Sequence, residues 1–311
     1  MIYYKGTKEI KLKDTVIALG KFDGLHKGHQ LLFDKLRSFR DENLTTVVFT
    51  FDFHPLSLLT GQMQQLIYTR HERRQIVEEL GIDVLIEYPF TEETAHMPAE
   101  IFVRDVLVRD LGVKAIVVGD DFHFGYQRKG DVKLLMALSS EYGYEVIHCE
   151  KLCHEGSEIS ATQIRDFIKE GELELAQVLL GRPYSISGEV IHGKGNGSGA
   201  LNMPTANIAP GAVKLLPPEG VYVSDVRLEG RSYGAVTNIG RNPTIGDHNE
   251  LRVETFIMDF HGDLYGQELN VNLYKRLRGE KKFDGFESLK KQMHADCDQA
   301  RAWLVQHDLM R

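Results

Sequence analysis

Gly20-Lys21-Phe22-Asp23-Gly24-Leu25-His26-Lys27-Gly28-His29 sets two histidines three residues apart, with a glycine between them. Residues at that spacing share one face of a helix, so a first turn beginning near His26 presents both rings to one ligand. Imidazole N–H groups can donate to phosphate oxygens and stabilise charge there. The start of a helix adds unpaired backbone N–H groups and partial positive charge. Gly28 lets a phosphate or a base come close to the backbone. A lone histidine would be a surface residue; the pair, behind a glycine-rich turn, predicts a phosphate-binding helix start.

Other clusters suit related chemistry. Val118-Gly119-Asp120-Asp121-Phe122-His123-Phe124-Gly125 holds two aromatic rings between glycines, which suits a flat heteroaromatic ring. In Ile159-Ser160-Ala161-Thr162-Gln163-Ile164-Arg165, Ser160 and Gln163 fit a capping box. Two hydroxyls and Arg165 at that helix start would equally suit a triphosphate. Gly188 to Lys194 approaches a P-loop, but Gly195 stands where Ser or Thr is required and no helix follows, so a P-loop is rejected. Pro204-Thr205-Ala206-Asn207, taken alone, reads as a turn. Glu254, taken alone, reads as a solvent-facing glutamate in an amphipathic strand. His148, Cys149, Cys153 and His154 match no zinc spacing and read as a strand end and loop.

These clusters sit on two textures. In the first half, apolar strands at residues 15–19, 46–51, 84–88, 115–118 and 145–148 alternate with helices after His26 and at 70–80, 99–111 and 132–142. Repeated β-α units imply a parallel sheet with helices on its faces. Ligands of such sheets lie beyond the carboxyl ends of the strands, where the histidine loop falls. Short helices follow at 161–169 and 173–180, and Arg182-Pro183 marks a junction. Beyond it, strands at 221–228, 234–239, 253–260 and 269–273 imply a small antiparallel barrel closed by a helix from about 286 to 307. Glu229-Gly230 and His261-Gly262-Asp263 read as hairpin turns. The expected domains are 1–182 and 183–311.

At 42% hydrophobic and 26% charged, the 311 residues have a soluble globular profile, long enough for two domains. A net charge of -8 argues against a broad nucleic-acid surface. No apolar run is long enough to span a bilayer, and the first residues lack the apolar core of a secretory signal. Three cysteines make no disulfide framework, so a reduced, cytoplasmic enzyme is expected.

The motifs resemble one family. His26 to His29 carries the H-x-G-H signature of nucleotidyltransferases, in the G-x-F-D-G-x-H-x-G-H form of the FAD synthetase branch. The Val118 and Ile159 motifs, and Thr50-Phe51-Asp52-Phe53-His54-Pro55, are similar to segments of that branch. Pro204-Thr205-Ala206-Asn207, Gly220-Val221-Tyr222-Val223, Asn238-Ile239-Gly240, Asn242-Pro243-Thr244, Val253-Glu254-Thr255 and Arg278-Gly279-Glu280-Lys281-Lys282-Phe283 follow the order of riboflavin kinases. Nearly the whole chain therefore resembles the bifunctional bacterial riboflavin kinase/FAD synthetase family.

The resemblance implies an α/β fold: an N-terminal Rossmann-like nucleotidyltransferase domain and a C-terminal β-barrel kinase domain with a terminal helix. It implies phosphorylation of riboflavin to FMN with ATP, then adenylylation of FMN to FAD with release of pyrophosphate and no protein nucleophile. The partners are then riboflavin, FMN, FAD and ATP, with Mg²⁺ as cofactor. In the adenylyltransferase, Phe22, Gly24, His26, Gly28, His29, Ser160, Thr162 and Arg165 would bind ATP, and Asp121, Phe122 and Phe124 the flavin. In the kinase, Gly193, Lys194, Gly195, Gly197, Thr205 and Asn207 would bind ATP, Thr205 and Asn207 the metal, and Arg278 flavin or phosphate. His26, His29 and Glu254 would be catalytic. The family's G-R-x-[LI]-G-F-P-T is altered: Gly199 replaces its arginine and Asn202 its second glycine. Two other readings stay open: an FAD synthetase with a degenerate, flavin-binding kinase domain, and a flavin-sensing regulator.

Overall fold

The computed structural model describes residues 1–52, 65–192, 205–241 and 251–310. The chain forms two compact units, Met1–Gln65 with Arg70–Ser160, and Leu66–Thr69 with Ala161–Arg311.

The first unit is built on six strands: Ile2–Lys5 (β1), Thr15–Leu19 (β2), Thr45–Phe51 (β3), Val84–Tyr88 (β4), Val113–Gly119 (β5) and Glu145–Cys149 (β6). They lie in the order β1-β4-β3-β2-β5-β6, every pair parallel. β2 and β4 are buried along their whole length, as their unbroken apolar runs require when helices cover both faces. β1 was not expected. Its residues are partly exposed, and it adds to the edge through β4. The connecting helices are Lys27–Ser38 (α1), Arg70–Glu79 (α2), Ala99–Ile101 continuing through Phe102–Asp110 (α3), and Val132–Tyr142 (α4). α1 buries Leu32, Phe33 and Leu36 against the sheet. The Asp131 side chain accepts from Leu134 N at 2.8 Å and starts α4, and Gly143 at φ 71° ends it. The second part of α3 is a π-helix rather than the α-helix expected, and its wider turn keeps Phe102, Val103, Val106 and Leu107 all buried.

After β2 the chain enters β3 on one side; after β4 it crosses back to β5 on the other. The carboxyl ends of β2 and β5 thus flank the switch point where open α/β sheets hold ligands.

In the second unit, Ala161–Glu170 (α5) and Leu173–Leu180 (α6) precede six barrel strands. The strands are Tyr184–Ile191 (β7), Thr205–Ile208 (β8), Gly220–Leu228 (β9), Arg231–Arg241 (β10), Leu251–Ile257 (β11) and Glu268–Arg278 (β12), followed by Phe286–Gln306 (α7). The barrel closes in the order β7-β8-β11-β10-β9-β12, with neighbours antiparallel. Glu229 and Gly230 turn tightly between β9 and β10, both at positive φ (49° and 78°), which is the hairpin geometry expected of them. The hairpin expected at His261-Gly262-Asp263 does not form. β11 pairs with β8 and β10, while β12 pairs with β7 and β9, so this stretch is a crossing connection. Likewise Thr205 to Asn207 belong to a strand, not a turn.

α7 packs Ala300 and Leu304 on Val223 of β9 and Tyr274 of β12. The opposite face of β9, with Tyr222, Ser224 and Val226, lines the barrel. Inside, the Ser224, Thr237 and Thr255 hydroxyls form a chain across β9, β10 and β11, with 2.8 and 3.0 Å between successive oxygens. Thr255 points inward, so its neighbour Glu254 faces out.

Leu66–Thr69, drawn from between β3 and α2 in the sequence, is built into this second unit. Leu66 bridges Lys214 in parallel. The buried Lys214 ammonium donates to Ile67 O at 2.9 Å and lies 4.8 and 4.5 Å from the ring centres of Tyr68 and Tyr184.

Candidate functional sites

At the carboxyl end of β2 the chain turns sharply. Phe22, Gly24 and Leu25 all have positive φ, and Phe22 and Leu25 are almost wholly buried. Positive φ at two bulky apolar residues is unfavourable in itself and is held here by burial. His26 is the N-cap of α1, its side chain making no cap hydrogen bond. The His26 and His29 rings stack at 3.7 Å between centres. His29 also meets the Phe22 ring edge-on at 5.2 Å, and Phe22 packs on Phe33. A Cβ at residue 28 would come within 3.1 Å of His26 Nδ1, so glycine there makes room for the stack. Neither histidine's Nδ1 has a hydrogen-bond partner among the described residues. Burial pushes the His26 pKa down to about 4, opposed in part by Asp121, and holds that of His29 well below the usual histidine range. Both rings are therefore neutral near pH 7, as N–H donors without fixed charge.

Asp121 brings the second loop to the first. In that loop Phe122 N donates to Gly119 O at 3.2 Å, and the Phe122 and Phe124 rings stack at 5.5 Å. Phe124 is a core residue packed on Phe102. Phe122 is half-buried. Ser160 ends the first unit, while Thr162 and Arg165 lie on α5 of the second. His148 is exposed and Cys149 buried, on the two faces of β6. Among the described residues no cluster of three or more His, Cys, Asp or Glu could hold a metal.

On the barrel, strand register assembles the other site. Asn207 of β8 lies directly across from Glu254 of β11, and Glu254 directly across from Asn238 of β10. The row continues through Val221 of β9 to Arg278 of β12. Directly opposed residues share a face with Cβ atoms about 5 Å apart. Thr205, two residues before Asn207, shares its face. Asn207 is buried, and its Nδ2 donates to Thr205 O at 3.4 Å, while its Oδ1 has no hydrogen-bond partner among the described residues. Arg278 donates to Asp296 of α7 at 2.7 Å and to Gly279 O at 3.1 Å, with its guanidinium 5.7 Å from the Phe283 ring centre. Gly193, Lys194, Gly195, Gly197, Gly199, Asn202, Phe53, His54 and the Asn242-Pro243-Thr244 motif lie outside the described residues.

Sequence reasoning gave Asn238 no role and did not see Asp296. Strict alternation along β10 and β11 would have placed Asn238 beside Glu254 once the pairing was assumed; nothing local marks Asp296.

The FAD synthetase family pattern matches residues 8–163, and the riboflavin kinase pattern matches residues 180–304. The chain belongs to the bifunctional riboflavin kinase/FMN adenylyltransferase family. The relative of that name in Haemophilus influenzae is 36% identical over 295 residues, covering 94% of this chain and 95% of its own. Its namesake in Escherichia coli K12 is 36% identical and covers 90% of each chain. The Bacillus subtilis relative is 35% identical and covers 92% and 91%. A solved structure from Streptococcus pneumoniae, described as a macrolide-efflux protein, superposes with a TM-score of 0.85 at 34% identity, covering 97% of this chain and 99% of that one. Among the described residues no helix of this family member is long and apolar enough to cross a membrane.

Proposed function

We propose that FMN is made at the barrel and FAD at the parallel sheet, in the cytoplasm. The chain phosphorylates riboflavin with ATP and adenylylates the FMN so formed, releasing pyrophosphate. What supports this reading is that each unit has a polar cluster of its own: the buried His26/His29 stack at a helix start, and the Asn207–Glu254 register on the barrel.

In adenylylation an FMN phosphate oxygen attacks the α-phosphorus of ATP and the bond to pyrophosphate breaks. His26, His29 and the N–H groups of α1 donate to the phosphate oxygens as charge develops. Gly24 and Gly28 allow the close approach, and Phe22 fixes the His29 ring. Ser160, Thr162 and Arg165 are assigned to ATP by the family motif. Phe122, backed by Phe124 and flanked by Asp121, takes the flavin.

In phosphorylation Glu254 removes the proton of the riboflavin 5′-hydroxyl as its oxygen attacks the γ-phosphorus, and ADP leaves. The Thr205 hydroxyl and Asn207 Oδ1, two oxygen donors on one face, fit Mg²⁺. Bound there, the ion would neutralise phosphate charge. Gly193, Lys194, Gly195 and Gly197 are assigned to ATP by their motif. We assign Arg278, committed to Asp296, to holding α7 on the barrel rather than to flavin or phosphate.

The test is incubation with riboflavin, ATP and Mg²⁺, with flavins separated over time. His29→Ala should lower FAD formation from FMN by about a hundredfold or more and leave FMN formation intact. Glu254→Gln should abolish FMN formation and leave adenylylation of supplied FMN. Neither flavin product from the unaltered chain would refute the reading.

A further inference from the structure

Asn238 stands where no function has been given to it. It is half-buried on the outer face of β10, directly across from Glu254, and Asn207 occupies the equivalent place on the other side. The base is thus flanked by two carboxamides in one cross-strand row. The acceptor alcohol must reach Glu254 from one side and the γ-phosphate from the other, because the base has to touch the oxygen that attacks. Asn207 and Thr205 take the nucleotide side. Asn238 is then on the side of the acceptor. Beyond it the row turns apolar at Val221, and beyond that Arg278 is tied to Asp296. Of the side chains in this row, only Asn238 is left to meet a polar acceptor.

A carboxamide carries both a donor and an acceptor, which matches a secondary alcohol that must do both. We propose that Asn238 is a specificity-determining residue of the kinase that hydrogen-bonds the 4′-hydroxyl of the ribityl chain, next to the oxygen being phosphorylated. This rests on the reading of Glu254 as the base. The cross-strand spacing of about 5 Å lets one residue touch the attacking oxygen while its neighbour touches the hydroxyl on the adjacent carbon. Gly240, two residues along on the same face of β10, is part of the arrangement. The Glu280 carboxylate occupies the space a side chain there would fill, and Asn238 Nδ2 lies 3.5 Å from that same point. The amide nitrogen thus lies along the strand toward Gly240, beside the Glu280 carboxylate.

The test compares riboflavin with 4′-deoxyriboflavin, which keeps the reacting 5′-hydroxyl, in the full chain and in Asn238→Ala. The unaltered enzyme should prefer riboflavin by about tenfold or more in kcat/KM, because a site built for a hydroxyl is left unpaired without it. Asn238→Ala should raise the riboflavin KM by about tenfold, leave the ATP KM unchanged and treat the two flavins alike. Adenylylation of FMN by the same preparation reports that the chain is intact. If the alanine variant does not fold, Asn238→Ser, whose hydroxyl can also donate and accept, should retain part of the preference. A folded Asn238 variant that discriminates as strongly as the unaltered enzyme overturns the assignment, as does a loss confined to ATP. Glu254→Gln is run beside it. A Glu254→Gln enzyme that still makes FMN refutes the base reading and this one with it. An inactive Glu254→Gln with unchanged discrimination in Asn238→Ala refutes only the role of Asn238.

Discussion

Replacing His26 by asparagine should flatten the acid limb of the first unit's stability. His26 is 8% exposed and burial pushes its pKa down to about 4, whereas an unfolded histidine titrates near 6.5. Below that higher value the unfolded chain binds a proton that the folded chain refuses. Stability is therefore full above about pH 6.5, falls as pH drops through it, and stops falling from this cause near pH 4. Between about pH 7.5 and about pH 5.5 the loss through His26 alone works out at about 1 kcal/mol, nearly one pKa unit of differential proton binding. His29 adds a loss of the same sign in the same window. Asparagine caps a helix well and shifts stability at both pH values alike, so the comparison between them isolates the titration. The assay is hydrogen exchange of β2 and β3 peptides in urea at the two pH values, corrected for intrinsic exchange. The single tryptophan, Trp303, reports only on the other unit. The unaltered chain should lose about 1 kcal/mol more than His26→Asn on acidification. Parallel losses would refute the claim that the stack is buried and neutral.

Asp296→Ala should cost about 3 kcal/mol, because it leaves the Arg278 guanidinium, 22% exposed, without its carboxylate. Urea unfolding followed by Trp303 fluorescence reads this directly, and an unchanged midpoint would show the pair to be dispensable. A fragment of residues 161–311 should have a higher urea midpoint than one of residues 183–311, since only the longer retains Leu173, Ala176, Leu179 and Leu180 of α6, which are buried. Both fragments contain Asn207 and Glu254 and should phosphorylate riboflavin, although both lack Leu66–Thr69; a pair that folds cooperatively yet is inactive would place part of the kinase site in the first half of the chain.

The parallel sheet was legible because buried strands are continuous apolar runs and their helices end in glycines. Gly81, Gly112 and Gly143 all adopt the left-handed conformation that a helix end favours. β1 escaped notice because it is short, partly exposed and pairs with β4, a strand far off in sequence. β7 escaped because Gly188 and two serines blur its alternation, although Gly188 is required where a Cβ would collide with Ala209 O. The His261 stretch has the composition of a hairpin turn, but composition does not say which strands pair. For the site, spacing revealed that His26 and His29 share a face. It could not reveal that Phe22 and Leu25 fold inward and exclude water from both rings, and so the depressed pKa values were invisible. Arg278 showed its charge in the sequence but not its partner, which lies on a different element.

The Lys214 clamp bears on the order in which the protein can be made. Its bond to Ile67 spans 147 residues of chain. At about 5–20 residues per second, a ribosome delivers Lys214 roughly 7 to 30 seconds after Ile67. Through that interval Ile67 and Tyr68, both buried in the finished protein, must wait without their barrel partners. The parallel sheet, all of whose strands emerge earlier, can fold while this apolar segment is still open to chaperones. The nascent chain is therefore most vulnerable to premature aggregation in the middle of its synthesis, and slowing translation between the two halves should lower the soluble yield.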